Sequence, residues 1–231
     1  MPRDSFQQEL DNLVAGMLEL GRQVEASLEN MVGAMERRDA GLAGKELGVD
    51  ARYKARGADI DNKNLVLQGR QAPVARDLRL LYTVRTVTNH LVSSGTLCEH
   101  ICCAITETAD SERNEELEAT LLEMARAARS VFGEGLDIFR HRDIERARDL
   151  QAKDDRVDLL YSEVLNLIVN PFDEHGGAPE WRMRAALMVH YLERIADHGV
   201  SIGGRTVFLA TGERIENSMQ QYMDRGLGEE Q

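Results

Sequence analysis

Proline is scarce, with four in 231 residues and one of those at position 2. Since proline breaks helix interiors, almost the whole chain is left free to be helical. No run of about 18 uncharged apolar residues occurs, which argues against a membrane-spanning helix. The N-terminus, "MPRDSFQQELDNLV", lacks the apolar stretch of a signal peptide, and a cytoplasmic location is expected. A basic surplus is missing as well: 28 Lys and Arg stand against 40 Asp and Glu, a formal net charge of −12. That balance opposes wrapping around phosphate backbones, so no nucleic acid is expected as a partner. Cysteine is limited to Cys98, Cys102 and Cys103, within about one and a half helical turns. An odd number so close together argues against a disulfide framework. They read as small core hydrophobes, with a soft metal site or redox chemistry as the alternatives. Gly-rich phosphate loops, nucleophile elbows and zinc-finger spacings do not occur either.

What is present is helical periodicity along nearly every segment, and the expected fold is all-α. From Phe6 to Arg37 the apolar residues Leu10, Leu13, Met17, Leu20, Val24, Leu28 and Met31 recur three and four apart. A second helix is expected from Asp39 through Leu67, and a third from Pro73 to Ile105, with Pro73 in its first turn. The polar "TETADSERNEE" reads as a linker. Beyond it the pattern restarts, with helices at 114–140, 143–169 and 180–209 and a loop "NPFDEHGGAP" before the last. The stretches "RRDAGLAGKELGVD" and "HRDIERARDLQAKD" align without gaps at an offset of 104, matching Arg38 to Arg142, Asp39 to Asp143, Ala43 to Ala147 and Asp50 to Asp154. Six long helices in two similar three-helix bundles are therefore expected: residues 1–107, residues 114–217, and a polar C-terminal tail at 218–231.

The candidate chemistry is carboxylate chemistry. Asp154 and Asp158 stand four apart in "KDDRVDLLYSEVLNLIV", and Glu193 and Asp197 four apart in "HYLERIADHG", so each pair shares one helix face beside the apolar stripe. If these helices are antiparallel neighbours, the four acids converge in the groove between them. Converging carboxylates repel one another until a cation neutralises them, and hard oxygen-loving metals do so well. The alternative from spacing alone is pairing with Arg194, Arg156 or Arg184. A di-iron or di-manganese carboxylate enzyme needs Glu-x-x-His pairs, and no histidine here has a Glu three residues before it. A metal-free helical scaffold is a further alternative.

"LERIADHGVSI" at 192–202, "PVARDLR" at 73–79 and the set Asp154, Val157, Asp158, Leu160, Tyr161 together resemble the PhoU family of phosphate-signalling proteins. The resemblance runs from the first helix to "FLATGE" at 208–213. It implies a pair of three-helix bundles in an accessory regulator of phosphate uptake, not an enzyme, damping a phosphate ABC transporter and a phosphate-responsive two-component system. The implied partners are the transporter's ATPase and a phosphate-sensing histidine kinase, holding the protein peripheral to the membrane, with a homodimer left open. Its metal ligands, carried over, are Asp154, Asp158, Glu193 and Asp197, for a hard divalent or trivalent ion among which iron, manganese, magnesium and zinc are not distinguished. In the first bundle only Asp50 survives, with Lys54, Val92 and Thr96 at the other three places, so no family-type site is expected there. An accessory role with another phosphate transporter is the alternative.

Overall fold

The computed structural model describes residues 3–70, 75–169 and 177–212. Within them the chain forms seven helices and no strand: α1 (Arg3–Arg37), α2 (Ala40–Gly44), α3 (Asp50–Arg70), α4 (Ala75–Glu107), α5 (Glu115–His141), α6 (Ile144–Val169) and α7 (Pro179–Thr211). The expected all-α class holds. Pro73, the 170–176 part of the second hairpin loop and everything after Gly212, including the 218–231 tail, lie outside the described residues.

The apolar stripe of α1 is buried along its length, from Leu10 through Leu13, Met17, Leu20, Val24 and Leu28 to Met31. It packs on α3 and α4, while α5, α6 and α7 pack on one another. The repeated Arg-Asp dipeptide ends α1 and α5 in the same way. Arg38 and Arg142 both take the left-handed conformation, with φ of 52° and 56°. That lets the next N–H turn back, Asp39 to the Ala34 carbonyl at 2.9 Å and Asp143 to Ile138 at 3.1 Å, closing the helix end. Each Asp then caps the following helix, accepting from Leu42 N–H at 2.9 Å and Arg146 N–H at 3.1 Å. The stretch that reveals the repeat is thus one helical corner built twice.

The second expected helix is in fact two. Gly48, with φ of 81°, breaks the run between α2 and α3. Beside it Glu46 turns inward, only 5% exposed, and accepts from the Ser27 hydroxyl and from Asn30 Nδ2. At the matching places the second bundle has Ala152 and the buried Leu150, and α6 runs unbroken. The count is therefore seven rather than six.

The bundles join side by side through antiparallel pairs. Arg38 reaches Glu118 and Arg140 approaches Glu25, so α1 and α5 run in opposite directions. Tyr82 stacks edge-on against Phe208 while Arg184 pairs with Glu107, and α4 and α7 do the same. Equivalent ends of the two bundles consequently point opposite ways. Inside the second bundle α5 and α7 touch backbone to backbone: a Cβ on Gly135 would stand 2.0 Å from the Gly199 carbonyl oxygen, and one on Gly199 2.5 Å from Phe132 Cα. Backbone cannot yield as a flexible side chain does. Gly199→Ala is expected to lower stability by about 3 kcal/mol in urea denaturation. Gly69→Ala, where a Cβ meets nothing within 4 Å, is expected to stay within about 1 kcal/mol; equal losses would contradict the packing.

Candidate metal centre

Helices α6 and α7 form a hairpin whose register is set near its loop, where the Arg182 guanidinium donates to the Ile168 carbonyl. Counted back from there at equal rise in two antiparallel helices, Asp158 falls opposite Glu193 and Asp154 opposite Asp197. The groove brings the four acids near enough for their charges to act on one another. Asp154 is the deepest, 2% exposed, and the other three are half-buried.

The electrostatics record the crowding. Burial first, then the charges of Asp197, Asp158 and Glu193, push the Asp154 carboxyl up to about 7. Burial and then Asp197 and Asp158 push Glu193 up to about 7, and burial followed by Asp158 pushes Asp197 up to about 6. Asp158 is raised too, by burial and by Asp155. These groups meet the condition under which a cation is strongly favoured, since each is partly desolvated beside like charge.

The alternative was neutralisation by arginine. Arg156 instead pairs with Glu123, and Arg184 with Glu107 at 2.6 Å. Arg194 is exposed; its charge draws Glu193 and Asp197 down only in part. Among the described residues no Lys or Arg forms an ion pair with any of the four acids. Glu193 Oε2 is buried without a hydrogen-bond partner; His190 Nδ1, at 3.8 Å, is too far to donate. Asp154 Oδ2 has only Gln151 Nε2, at 3.5 Å. The donor set, all carboxylate oxygen with one oxygen orphaned, fits a hard cation. Among the described residues no three His, Cys, Asp or Glu side chains yet close around one point, so binding would require these side chains to swing inward.

The equivalent groove of the first bundle is electrically closed. Asp50 pairs with Lys54 at 2.5 Å and accepts from the Thr96 hydroxyl, while its own N–H donates to Glu99 at 2.7 Å. Burial alone would raise the Asp50 carboxyl, but the hydrogen bonds from Lys54 and Thr96 outweigh it and hold it below the usual range. Val92 lies against Gly57 instead of offering a ligand. Of the cysteines, all free, Cys98 and Cys102 are buried and Cys103 is half-buried; the hydrogen bond with Cys102 and then burial raise the Cys98 thiol.

Three neighbours of the acid groove are not singled out by the sequence as part of the site. Asp155 adds to the field on Asp154 and Asp158, Gln151 touches Asp154, and His190 stands beside Glu193. Helical spacing placed all three nearby, but nothing in their identity set them apart from solvated surface residues.

Two stretches of the chain, residues 17–105 and 121–206, match the PhoU domain family, and the chain belongs to that family. It is 26% identical over 217 residues to a phosphate-specific transport system accessory protein PhoU homologue of Clostridium acetobutylicum, covering 94% of this chain and 99% of that one. A homologue from Methanothermobacter thermautotrophicus is 29% identical over 160 residues, 68% of this chain and 71% of that one. The fold also matches crystal structures of PhoU from Pseudomonas aeruginosa, with a TM-score of 0.83, and of a phosphate transport system regulatory protein PhoU from Streptococcus pneumoniae, with 0.80. Each is 22% identical, with coverage of 90% of this chain and 100% of that one, and 91% and 99%, respectively. A role in the regulation of phosphate transport follows from the family. No helix among the described residues is long and apolar enough to cross a membrane.

Carboxyls raised above their ordinary values leave the folded protein holding more protons than the unfolded chain between about pH 4 and 7, so they oppose folding increasingly as pH rises through that window. Burial lowers His90 to about 4 and, with the neighbouring His90, lowers His198 to about 3, which acts in the opposite sense. A single-residue difference isolates the acids. In metal-free protein with chelator, Asp154→Asn is expected to raise the melting temperature at pH 8 and to give little or no gain at pH 4.5. An equal shift at both pH values would contradict the burial of an unpaired charge.

Proposed function

We propose that the protein is a cytoplasmic, non-enzymatic regulator of high-affinity phosphate uptake that acts by binding. Its partners are the ATPase of a phosphate ABC transporter and a phosphate-sensing histidine kinase, both damped when phosphate is plentiful. The observation that carries this reading is the family match across both halves of the chain, in a molecule whose α6–α7 groove, among the described residues, offers carboxylates but no nucleophile, base and oxyanion set. Asp154, Asp158, Glu193 and Asp197 hold a hard divalent or trivalent cation in the second bundle. When bound, that ion supplies positive charge to a groove that lacks it. The chain's own contribution is to bury the four acids, to withhold arginine from them, and to fix the register of α6 on α7.

The first bundle takes no ion by this route, because Lys54 already neutralises Asp50. Metal measured by plasma mass spectrometry in untagged protein is expected to fall to background in Asp158→Ala with Asp197→Ala and to be unchanged in Asp50→Ala. Unchanged metal in both, or loss on changing Asp50 alone, would overturn the assignment. Pull-downs at low and high phosphate are expected to recover the transporter ATPase and the sensor kinase, and recovery of neither would count against the regulatory reading.

A further inference from the structure

Carboxylates dominate this chain, with a net charge of −12, yet one groove is lined by none of them among the described residues. Along α4, Leu78, Tyr82 and Arg85 recur at four- and three-residue spacing and so share a face, with Arg79 beside Leu78 on the same lining. Phe208 of α7 and Gln68 of α3 close the far wall around a volume of about 460 Å³. Leu78 is 49% exposed and Tyr82 43%. Apolar surface left this open in one place marks a contact site more often than scattered single exposures do.

Its charged groups, among the described residues, are all of one sign. Arg79 and Arg85 belong to the lining, and the Arg205 guanidinium sits over the Tyr82 ring, 5.5 Å from its centroid. Arg79 Nε is buried with no hydrogen-bond partner among the described residues. Aromatic rings flanked by arginine are the usual composition of binding hot spots. An exposed apolar anchor entering between Leu78 and Tyr82 would place its neighbours beside the guanidinium groups, where a carboxylate forms charge-assisted hydrogen bonds.

The geometry points to a docking groove for a partner protein segment that presents an apolar side chain flanked by Asp or Glu. The assignment rests on the regulatory reading above and names the surface through which it acts. A protein segment fits better than a bilayer because the site is concave and the remaining surface, strongly acidic, is repelled by anionic lipid. The second bundle carries exposed Met183 at the place of Tyr82. That end has Arg182 engaged with Ile168 and Arg184 with Glu107, so charge complementarity favours the first bundle.

The test uses the purified transporter ATPase and the cytoplasmic part of the sensor kinase as probes, with binding read by biolayer interferometry. Tyr82→Ser with Arg85→Glu alters two exposed side chains, and an unchanged melting temperature verifies the fold. Leu159→Ser, at a residue 64% exposed on α6, is the control. Binding to at least one probe is expected to weaken at least about tenfold in the double variant, to weaken in salt for the wild type, and to be unchanged in the control. Wild-type binding with an undiminished double variant overturns the groove alone. Wild-type protein that binds neither probe overturns the regulatory reading and the groove together. Binding to phosphatidylglycerol vesicles that depends on Tyr82 makes the occupant a membrane and overturns the proposal. So does a tenfold gain in probe binding when the chain is cut after Gly212, because residues 213–231 would then be the occupant.

Discussion

Helix α7 is pressed against α5 without a side chain between them, and its orientation follows from that contact. Gly199 meets the backbone of Phe132 and Gly135, and Gly203 meets Gly135 and Leu150. With one line of the helix pinned to α5, the rest of its circumference is assigned. At about 100° per residue, Glu193 and Asp197 fall roughly 120–160° round from Gly199, on the side of α6. His198 and Tyr191 fall on the other side, where they meet His90, Ser94 and His100 of α4. One close crossing therefore aims the acids at their counterparts and joins the two bundles.

Desolvating carboxylates side by side is unfavourable by several kcal/mol per unpaired charge, and the two halves of the repeat meet that constraint differently. In the first it is met within the chain: Lys54 neutralises Asp50, the Thr96 hydroxyl donates to it, and Val92 fills space. In the second, the acids remain, Arg156 and Arg184 are committed elsewhere, and Arg194 offsets the charge only in part. A groove that keeps four acids and no base is poised for a mobile cation rather than for a fixed side chain. At the grooves the asymmetry is one of charge, while the backbone corner before each is shared.

Much of the fold was legible because its signals are local. The corner at Arg38 and Asp39 recurs at Arg142 and Asp143 with the same residue types, and the apolar stripe of α1 was buried as its spacing required. The break before α3 was not legible. Gly44, Gly48 and Gly57 look alike in sequence, yet only Gly48 takes a positive φ, while Gly57 sits mid-helix beneath Val92. Glu46 gave no hint of burial because its partners, Ser27 and Asn30, lie a helix away. At the acid groove the i, i+4 spacing named the four residues, but whether an arginine answers them depends on where Glu123 and Glu107 stand, which is tertiary information.

The central claim is that the second groove holds carboxyls partly protonated for want of a counter-charge, which a metal ion then displaces. Proton release on metal binding tests it directly. Titrating manganese(II) or zinc(II) into metal-free protein at pH 6.5, by calorimetry in buffers of different ionisation enthalpy, counts the protons expelled. With Asp154 and Glu193 raised to about 7, the account predicts release of on the order of one to two protons per ion bound in that groove. Binding that expels no proton at this pH would contradict it.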